Sequence, residues 1–382
     1  MRILLLGEFS RLHNTLKEGL VALGHEVVLV NNGDGFKNYP ADYSIRALFF
    51  KSKIGNIFRQ VWYRFFKYDL VLLEHGLRFW WIVNRFQQYD VVQFINEKPI
   101  QTLALLEYHF LKKILKKNSN CYLLSCGVDK TNLEYMLAKR ERYSIMNPYF
   151  ENPKLTEKEY TFMWEYKTSM HFKIHKLLEK HCKGIIASDL DYVAPLRTHQ
   201  KFIGLIPNPI NTLSKIYTPN RVTGKVIIFL GINSGNYHSK GIRFFEEALK
   251  IVQKRWGFKT EIITTRDIPY FEYHQHFKRA HIVLDQVYAF DQGYNALEAM
   301  AQGKVVFTGA ETEFLNFYQL QEDEVAINAL PDIDYLIEKL NFLIHHPEMI
   351  ATIGKNAAAF IKKNHEFTQI AQQYIRAWNS EK

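Results

Sequence analysis

Residues 285–304 read Asp-Gln-Val-Tyr-Ala-Phe-Asp-Gln-Gly-Tyr-Asn-Ala-Leu-Glu-Ala-Met-Ala-Gln-Gly-Lys. This pattern predicts the end of a short apolar strand, a polar loop with one glycine, and a short helix whose single acid is Glu298. Such a loop places backbone N–H groups and a helix N-terminus at the carboxyl edge of a parallel sheet, a setting that suits phosphates. Glu298, on the first turn, is then available for the hydroxyl groups of a ribose.

The same acid also has a purely structural interpretation. Asn295 and Glu298 have the spacing of a capping box, in which the two side chains satisfy free N–H groups at the start of a helix. Taken alone, this spacing favours the helix cap over a ligand contact.

Short apolar strands alternate with longer amphipathic segments along the chain, which is the pattern of parallel α/β domains. A first helix is predicted over 11–23, and a long helix is predicted to start at Thr156, which has Glu159 at capping-box spacing, and to end at Lys183-Gly184. The predicted strands of the first half are 2–6, 26–30, 70–73, 91–94, 122–125 and 184–187. Those of the second half are 226–230, 259–264, 281–285, 305–308 and a short one near 325–327.

A hinge is predicted at Ile206-Pro207-Asn208-Pro209-Ile210-Asn211, because two prolines restrict the preceding residues to extended conformations and remove backbone donors. We therefore expect a first domain over 1–210 and a second over 211–366. A C-terminal segment, 367–382, is expected to pack back on the first domain.

Composition also restricts the class of protein. A chain of 382 residues, 47% of them apolar, is long enough for two globular domains. The N-terminal apolar run is too short for a signal peptide, and no later stretch has the length of a membrane span, so we expect a cytoplasmic protein. The three cysteines predict reduced core residues, with neither disulfides nor a zinc site.

The net charge of +10 is unevenly distributed. Residues 1–200 carry 29 Lys and Arg against 20 Asp and Glu, a balance of +9, which leaves 20 against 19, or +1, for the rest. The chain lacks the signatures of helix-turn-helix, zinc-finger and RNA-binding modules, so we expect no nucleic-acid partner. An anionic bilayer or a phosphate-bearing acceptor suits the basic half better, and a merely soluble basic surface fits equally well.

A second loop with a glycine lies at residues 231–241, between a predicted strand and an amphipathic helix for which Ser239 is the predicted N-cap. Lys240 stands at the mouth of this helix. Its charge, added to the helix dipole, would hold a diphosphate and stabilise it as a leaving group.

The segments 54–67 and 76–88 combine aromatic and basic residues. Ile54, Ile57, Phe58, Val61 and Phe65 form a stripe that is expected to face the core, whereas Trp62, Tyr63 and Phe66 fall outside it. With Trp80, Trp81 and nearby basic residues, the remaining aromatics could form a membrane interface. Burial against the first domain is the commoner arrangement, and we expect it here.

Gly293, the run Leu297-Glu298-Ala299-Met300-Ala301 and Gly303 resemble the nucleotide-sugar loop of retaining glycosyltransferases of family 4, in which Glu-Gly-Phe-Gly shortly precedes Glu-Ala-Met-Ala. The likeness covers nearly the whole chain and is strong also at 7–13 and at Lys240-Gly241. It implies the α/β glycosyltransferase B (GT-B) architecture, two Rossmann-like, doubly wound parallel-sheet domains that face each other across a cleft.

The resemblance assigns roles to particular residues. Lys240 and Glu298 become the catalytic pair that holds the donor's diphosphate and ribose. The implied donor-binding residues are Gly7, Glu8, Ser10, Lys240, Arg266, Asp291, Gly293, Tyr294, Asn295 and Glu298. The implied acceptor-side residues are His13, Glu97 and Asp129.

Two departures from the family pattern stand out. The family's first glutamate, which contacts the hydroxyl groups of the donor sugar, falls on Phe290, and the nearest acid, Asp291, is one place out of register. The arginine that usually follows the first strand of the second domain is replaced by Ile232-Asn233.

The implied reaction is transfer of a sugar from a nucleotide-diphosphate sugar to a hydroxyl group of a glycan or lipid-linked acceptor, with retention of configuration. No cofactor and no metal are expected, because the pair His171 and His175 brings no third zinc ligand. Such an enzyme is expected in the cytoplasm, and its basic half could place it on the inner membrane face.

Two other classes stay open: a non-hydrolysing nucleotide-sugar epimerase, and a non-catalytic protein that binds nucleotide sugars or membranes. The first loop, Gly7-Glu8-Phe9-Ser10-Arg11, lacks the Gly-Thr-Arg-Pro-Glu pattern of the epimerases, and it lacks the glycines of a dinucleotide fingerprint.

Overall fold

The computed structural model describes residues 1–35 and 37–380, so the last two residues of the predicted C-terminal segment lie outside the described part. The described chain contains two sheets whose strands all pair in parallel. This pair of parallel sheets agrees with the predicted GT-B fold class.

The first sheet has seven strands in the order β3-β2-β1-β4-β5-β6-β7. Its strands are β1 Arg2–Leu6, β2 Glu26–Asn31, β3 Tyr43–Ser44, β4 Val91–Phe94, β5 Cys121–Ser125, β6 Gly184–Ala187 and β7 Phe202–Leu205. The helices of this half are α1 Leu12–Ala22, α2 Lys53–Phe66, α3 Leu70–Ile82, α4 Ala104–Lys117, α5 Lys130–Leu137, α6 Asn147–Glu151, α7 Thr161–Trp164, α8 Ser169–His181 and α9 Val193–Leu196.

Burial on both faces explains why β1 is a continuous apolar run. Ile3 and Leu5 pack with α1, while Leu4 and Leu6 pack on the opposite side with α3 and α4. A strand covered by helices on both faces needs apolar residues at every position.

The second sheet has five strands in the order β12-β11-β10-β8-β9. Its strands are β8 Val226–Ile232, β9 Thr260–Arg266, β10 Ile282–Leu284, β11 Val305–Thr308 and β12 Ile327–Asn328. The helices of this half are α10 Ile242–Trp256, α11 Tyr270–Arg279, α12 Tyr294–Ala301, α13 Thr312–Tyr318, α14 Ile333–His345 and α15 Pro347–Asn364, and the chain ends with α16 Phe367–Asn379.

The chain passes between the two halves twice, and the two passages bond to each other. The backbone N–H of Ile210 donates to the carbonyl of His365 at 2.7 Å, and the His365 ring donates through Nδ1 to the carbonyl of Asn208 at 2.9 Å. Beyond this point α16 lies against α1 so closely that a Cβ on Gly19 would lie 2.4 Å from the carbonyl oxygen of Phe367. The indole N–H of Trp378 donates to Gln93 at the end of β4.

Three local predictions are wrong. The predicted strand at 70–73 is the start of α3, because Asp69 caps the backbone N–H of Val71 and the apolar run continues as a helix. The predicted long helix begins at Ser169, capped by Thr168, although Glu159 does accept from Thr156 over one turn. The stripe of α2 predicted to face the core is exposed, from Ile54 at 79% to Phe65 at 75%.

Among the described residues, no helix combines the length and the apolar character that crossing a bilayer requires.

Candidate functional site

In each sheet there is one place where the chain stops adding strands on one side and continues on the other. In the first sheet this point lies between β1 and β4, and in the second it lies between β8 and β10. Loops that follow the carboxyl ends of strands at such a point form the usual ligand crevice of open parallel sheets.

The loops of the two sheets meet around a cavity of about 580 Å³. The first domain contributes Phe9 and Ser10 after β1, Asn96 and Lys98 after β4, residues 126–128 after β5, and Asp189 and Tyr192 after β6. The second domain contributes Asn236, Gly293 and Tyr294, and the hinge contributes Asn208. The cavity therefore lies between the domains and is bounded by segments at both reversal points.

The loop after β1 turns sharply at Gly7. Its φ of +91° is in the left-handed region, and a Cβ would lie 2.3 Å from the Ile95 side chain, so only glycine fits there. The next residue, Glu8, points under α1 and accepts from the backbone N–H of Asn14 at 2.8 Å and from its side chain at 2.6 Å. Burial raises the pKa of Glu8 to about 8. This predicted donor-binding acid is thus placed as a cap of the first helix.

Ser10 lines the cavity, and its neighbours were not anticipated from the sequence. Its backbone N–H donates to Asp34 at 2.8 Å, and its hydroxyl accepts from Lys37 at 3.1 Å. Ser10 does not cap α1, which begins after Arg11, a residue with left-handed backbone whose own side chain makes no capping hydrogen bond.

His13 is fully buried, and burial lowers its pKa to about 3. Its Nδ1 donates to the carbonyl of Gly7 at 2.8 Å, which leaves Nε2 to accept from Gln93 at 3.4 Å. The neutral ring therefore holds the β1 loop against β4, beneath the cavity floor.

Lys240, in the second domain, forms an ion pair with Asp285 at 2.9 Å between Nζ and Oδ1. The helix that follows, α10, begins after Gly241, and no side chain caps it. The predicted cap, Ser239, is wrong: its hydroxyl donates to the carbonyl of Asn236 at 3.2 Å. The N–H groups of Ile242 and Phe244 donate to the backbone carbonyls of Tyr237 and Gly241. The start of α10 and the Lys240 ammonium thus lie at one end of β8.

Asp285 is a site residue that sequence reasoning missed, although an acid directly after a buried strand was the available signal. Its Oδ1 accepts from Lys240 and, at 3.1 Å, from the side chain of Asn295. Its Oδ2 is buried and has no hydrogen-bond partner among the described residues. One carboxylate therefore joins the β8 loop to the start of α12.

The N-terminus of α12 likewise has no cap from a described side chain. Its N-cap is Gly293, and no described side chain bonds to its first N–H groups. The Asn295 side chain is instead held by Asp285 and by the hydroxyl of Tyr273 at 2.9 Å, so the capping-box interpretation is wrong. Because β8 and β10 are neighbours, two uncapped helix N-termini, those of α10 and α12, lie at adjacent strand ends.

Glu298 is the fifth residue of α12, two residues further along the helix than the expected cap at Asn295 would place it. Its side chain is mostly buried, and Oε1 forms an ion pair with Lys215 at 2.9 Å. Lys215 comes from the segment after the hinge and was not anticipated. A ligand that binds Glu298 would have to share or displace this lysine.

Tyr294, the first residue of α12, contacts the first domain directly. Its hydroxyl lies 2.5 Å from the hydroxyl of Thr15 in α1, and burial raises its pKa well above the usual value. The start of α12 is therefore positioned by both domains.

Phe290 and Asp291 both lie at the domain contact. The Phe290 N–H donates to Asp191 of the first domain at 2.8 Å, and Asp291 accepts from the N–H of Leu190 at 3.1 Å. The Phe290 ring stacks on Tyr143 and lies under the guanidinium of Arg142. Burial raises the pKa of Asp291 to about 6. The two residues thus connect the β10 loop to the first domain.

The predicted acceptor-side acids are buried next to the cavity. Glu97 accepts from His171 and from His175, each at 2.6 Å, and from the N–H of Lys130 at 3.1 Å. Burial acts to raise the pKa of Glu97, but the two histidine hydrogen bonds outweigh it and hold the value at about 2. These ring contacts account for both histidines of the pair that we considered for zinc.

Asp129 caps α5 by accepting from Asn132 at 2.7 Å, and it also accepts from Ser125. Burial, together with the nearby charge of Glu97, raises its pKa to about 6. Asn96, Lys98 and Val128, rather than the two acids, line the cavity.

Arg266, at the end of β9, lies on the ring of Tyr237 and pairs with Glu246 of α10 at 2.9 Å. It is nearly half exposed and lies away from the residues that line the cavity. Within the described part of the chain, no group of three His, Cys, Asp or Glu side chains is placed to hold a metal.

Residues 233–376 match the family described as glycosyl transferase-like. Sucrose-phosphate synthase from Thermosynechococcus elongatus superposes with a TM-score of 0.61 at 15% identity over 99% of this chain and 98% of that one. Anabaena HepE, solved in complex with UDP-glucose, superposes with a TM-score of 0.59 at 12% identity over 100% of both chains. A glycosyltransferase from Rickettsia africae gives 0.53 at 14% identity over 99% and 98%.

No curated protein sequence matches this chain. The family match confirms the predicted enzyme class, a glycosyltransferase, and the structural likenesses confirm the GT-B fold.

Proposed function

We propose that this protein is a retaining glycosyltransferase that transfers a sugar from a nucleotide-diphosphate sugar to a hydroxyl group of a glycan or lipid-linked acceptor. The reaction forms a bond between the acceptor oxygen and the anomeric carbon and breaks the bond from that carbon to the diphosphate, while the hydroxyl proton leaves with the diphosphate. The resemblance to family 4 is the basis for proposing that the anomeric configuration of the sugar is retained.

The observation that carries the proposal is the convergence of one lysine and two helix N-termini that no described side chain caps. The helices α10 and α12 begin at adjacent strand ends, neither has a side-chain cap, and Lys240 lies between them on Asp285. Each N-terminus has about half a positive charge, and the ammonium adds a full one. This arrangement suits a diphosphate, and it stabilises the charge that grows on the diphosphate as it leaves.

Glu298 supports the assignment of the nucleotide. It lies on α12 beyond the proposed diphosphate position, and a carboxylate accepts hydrogen bonds from two neighbouring ribose hydroxyl groups. The HepE complex contains UDP-glucose, so a uridine nucleotide is the first donor to test. The interdomain cavity, which Gly293 and Tyr294 also line, is then the acceptor side.

The test is binding of UDP and of uridine to Lys240→Ala, measured by calorimetry. A charge-assisted hydrogen bond is worth about 1.5–3 kcal/mol, so UDP affinity should fall about ten- to hundred-fold while uridine affinity changes little. Lys339→Ala is the matched control, because Lys339 also forms ion pairs but with Glu322 and Asp323, outside the proposed site. Unchanged UDP binding by Lys240→Ala would refute the donor site.

A specific observation favours a second candidate, a protein that binds a nucleotide sugar without transferring it. Phe290 and Asp291, the positions nearest to the family's first glutamate, are both engaged in the domain contact. Analysis of products after incubation with UDP-sugars distinguishes the classes, since a transferase makes a new glycoside, an epimerase makes an epimerised donor, and a binding protein leaves the donor unchanged.

A further inference from the structure

Helix α2 has an apolar face that lies open on the surface. Along this face Ile54, Ile57, Val61 and Phe65 are 79%, 66%, 53% and 75% exposed, and Phe58 and Phe66 are more than half exposed. Gly55 is the only residue of the helix that is buried. A face of this size is unusual for a soluble domain and marks an interaction surface.

Hydrogen bonds to α3 fix the position of the exposed helix α2. The Arg59 guanidinium binds the Asp69 carboxylate through two hydrogen bonds of 2.7 and 2.6 Å, and Asp69 caps α3. Before the helix, the N–H groups of Leu48, Phe49 and Phe50 all donate to Glu74 of α3. These contacts hold α2 by its start and one edge and leave the apolar face free.

Aromatic rings are concentrated on this surface. Trp62 stacks on Phe66 with ring centroids 4.1 Å apart, and Phe58 lies 6.2 Å from Trp62. On α3, Trp80 and Trp81 are 58% and 76% exposed. Tryptophan and other aromatic side chains favour the boundary between lipid headgroups and acyl chains.

Basic residues accompany the apolar face. Lys53 and Arg64 are exposed on α2, and so are Lys67, which directly follows the helix, and Lys51, which lies two residues before it. The half of the chain that contains this surface carries nearly all of the net positive charge. A second copy of this chain docked face to face would bring like charges together, whereas anionic lipid headgroups neutralise them.

We propose that the apolar face of α2 and the exposed tryptophans of α3, here called the docking surface, bind an anionic lipid bilayer. The apolar side chains enter the headgroup region and the basic side chains bind lipid phosphates. Leu72, at the start of α3, lines the interdomain cavity, so binding in this way brings the cleft to the membrane surface. The proposal does not depend on the donor-site assignment, because membrane binding is measured without nucleotide or turnover.

The first experiment is co-sedimentation of the full chain with phosphatidylglycerol–phosphatidylcholine vesicles and with pure phosphatidylcholine vesicles. We expect binding to the anionic vesicles that falls as salt rises, little binding to the neutral ones, and a blue shift of tryptophan emission on binding. Equal binding to both vesicles, or binding to neither, would overturn the proposal.

Matched variants then locate the surface. Phe65→Ser should weaken vesicle binding about ten-fold, the lower limit for withdrawing a phenylalanine from an apolar phase. Arg64→Gln should weaken binding to anionic vesicles about five-fold. Phe258→Ser is the control, because Phe258 is 68% exposed but lies in the second domain.

The same variants separate lipid from self-association. Size-exclusion chromatography should show no change of oligomeric state in Phe65→Ser, and thermal melting should show that it is folded. If Phe258→Ser lowers vesicle binding as much as Phe65→Ser, or if Phe65→Ser converts an oligomer to a monomer without affecting vesicle binding, the assignment of this surface to lipid is wrong.

Discussion

The ring of Phe290 in the second domain stacks on the ring of Tyr143 in the first, with centroids 5.1 Å apart. Arg142 lies 4.8 Å above the Phe290 ring centroid and binds Glu311 and Glu313 at 3.0 and 2.7 Å. Tyr143 donates its hydroxyl hydrogen to Glu311. At the position where the resembling family has an acid for the donor sugar, this chain therefore has a residue that packs the two domains together.

The first prediction concerns this contact. Phe290→Ala removes a buried ring, and the loss of its packing should cost about 3–5 kcal/mol and lower the melting temperature by several degrees. Since the ring lies between the domains, small-angle scattering should also show a larger radius of gyration. Phe317→Ala, which truncates a ring that is 52% exposed, should change neither quantity. An equal effect of the two variants would contradict the assigned role.

The second prediction concerns pH. Burial raises the pKa of Asp291 from the usual 3.8 to about 6, so the folded protein keeps this proton at pH values where the unfolded chain has lost it. The bound proton of Asp291 thus contributes fully to the free energy of unfolding below pH 3.8, and this contribution is lost as the pH rises to about 6. The neighbouring acids Asp189 and Asp191 are buried as well and have raised pKa values, and Glu141 lies near Asp191.

Urea unfolding of the wild type and of Asp291→Asn between pH 4 and 7 measures this contribution. The unfolding free energy of the wild type should fall by roughly 2 kcal/mol relative to that of the variant across this range, at about 1.4 kcal/mol per unit of pKa displacement. Above pH 7 the difference in unfolding free energy between the wild type and Asp291→Asn should be constant. A difference that does not change with pH would show that Asp291 titrates normally.

The third prediction uses Gly293. Its φ is −70°, and a Cβ added there would meet no atom closer than 3.6 Å, so the fold does not require a glycine. Gly293→Ala should therefore be as stable as the wild type, or up to about 1 kcal/mol more stable. A methyl group beside the open N-terminus of α12 should nevertheless weaken UDP binding.

Gly224→Ala provides the control, because a Cβ there has nothing within 4 Å. This variant should keep both its stability and its UDP affinity. Unaltered UDP binding by Gly293→Ala would place the diphosphate elsewhere.

The fourth prediction concerns Glu298 and Lys215. Glu298→Gln removes the charge that we assign to ribose binding, and uridine and UDP affinity should fall about ten-fold, with a small change in melting temperature because Glu298 does not cap α12. Lys215→Gln removes the same ion pair, of 2.9 Å, without removing the acid. It should bind UDP at least as tightly as the wild type, whereas an equal loss in both variants would mean that the ion pair only supports the fold.

Much of the architecture is predictable from the sequence because it depends on local pattern. Buried strands such as Val91–Phe94 and Val305–Thr308 are apolar at three of their four positions, and turns and helices separate them. The run 70–73 was misassigned because a short apolar run has the same composition in a strand and in the first turn of a buried helix. Only the cap on Asp69 and the helix that follows distinguish the two.

The site was predictable where one segment supplies both the residue and its setting. Gly293 and Lys240 are recognisable because the strand, the loop and the helix follow one another along the chain. The partners Asp285 and Lys215 were missed, since each comes from a segment distant in sequence from the residue it binds. The same limit applies to Tyr143 and Phe290, which meet only when the two domains pack together.

The sequence by itself determined two parallel α/β halves, a segment with two prolines between them, and a glycine loop before the helix that carries Glu298. These features follow from backbone restriction and from hydrophobic periodicity, which act within a few residues. Tertiary structure alone decided that the apolar face of α2 is exposed, that Asp285 holds Lys240, and that Phe290 packs against the first domain. Periodicity shows which face of a helix is apolar, but what covers that face depends on contacts between segments far apart in the chain.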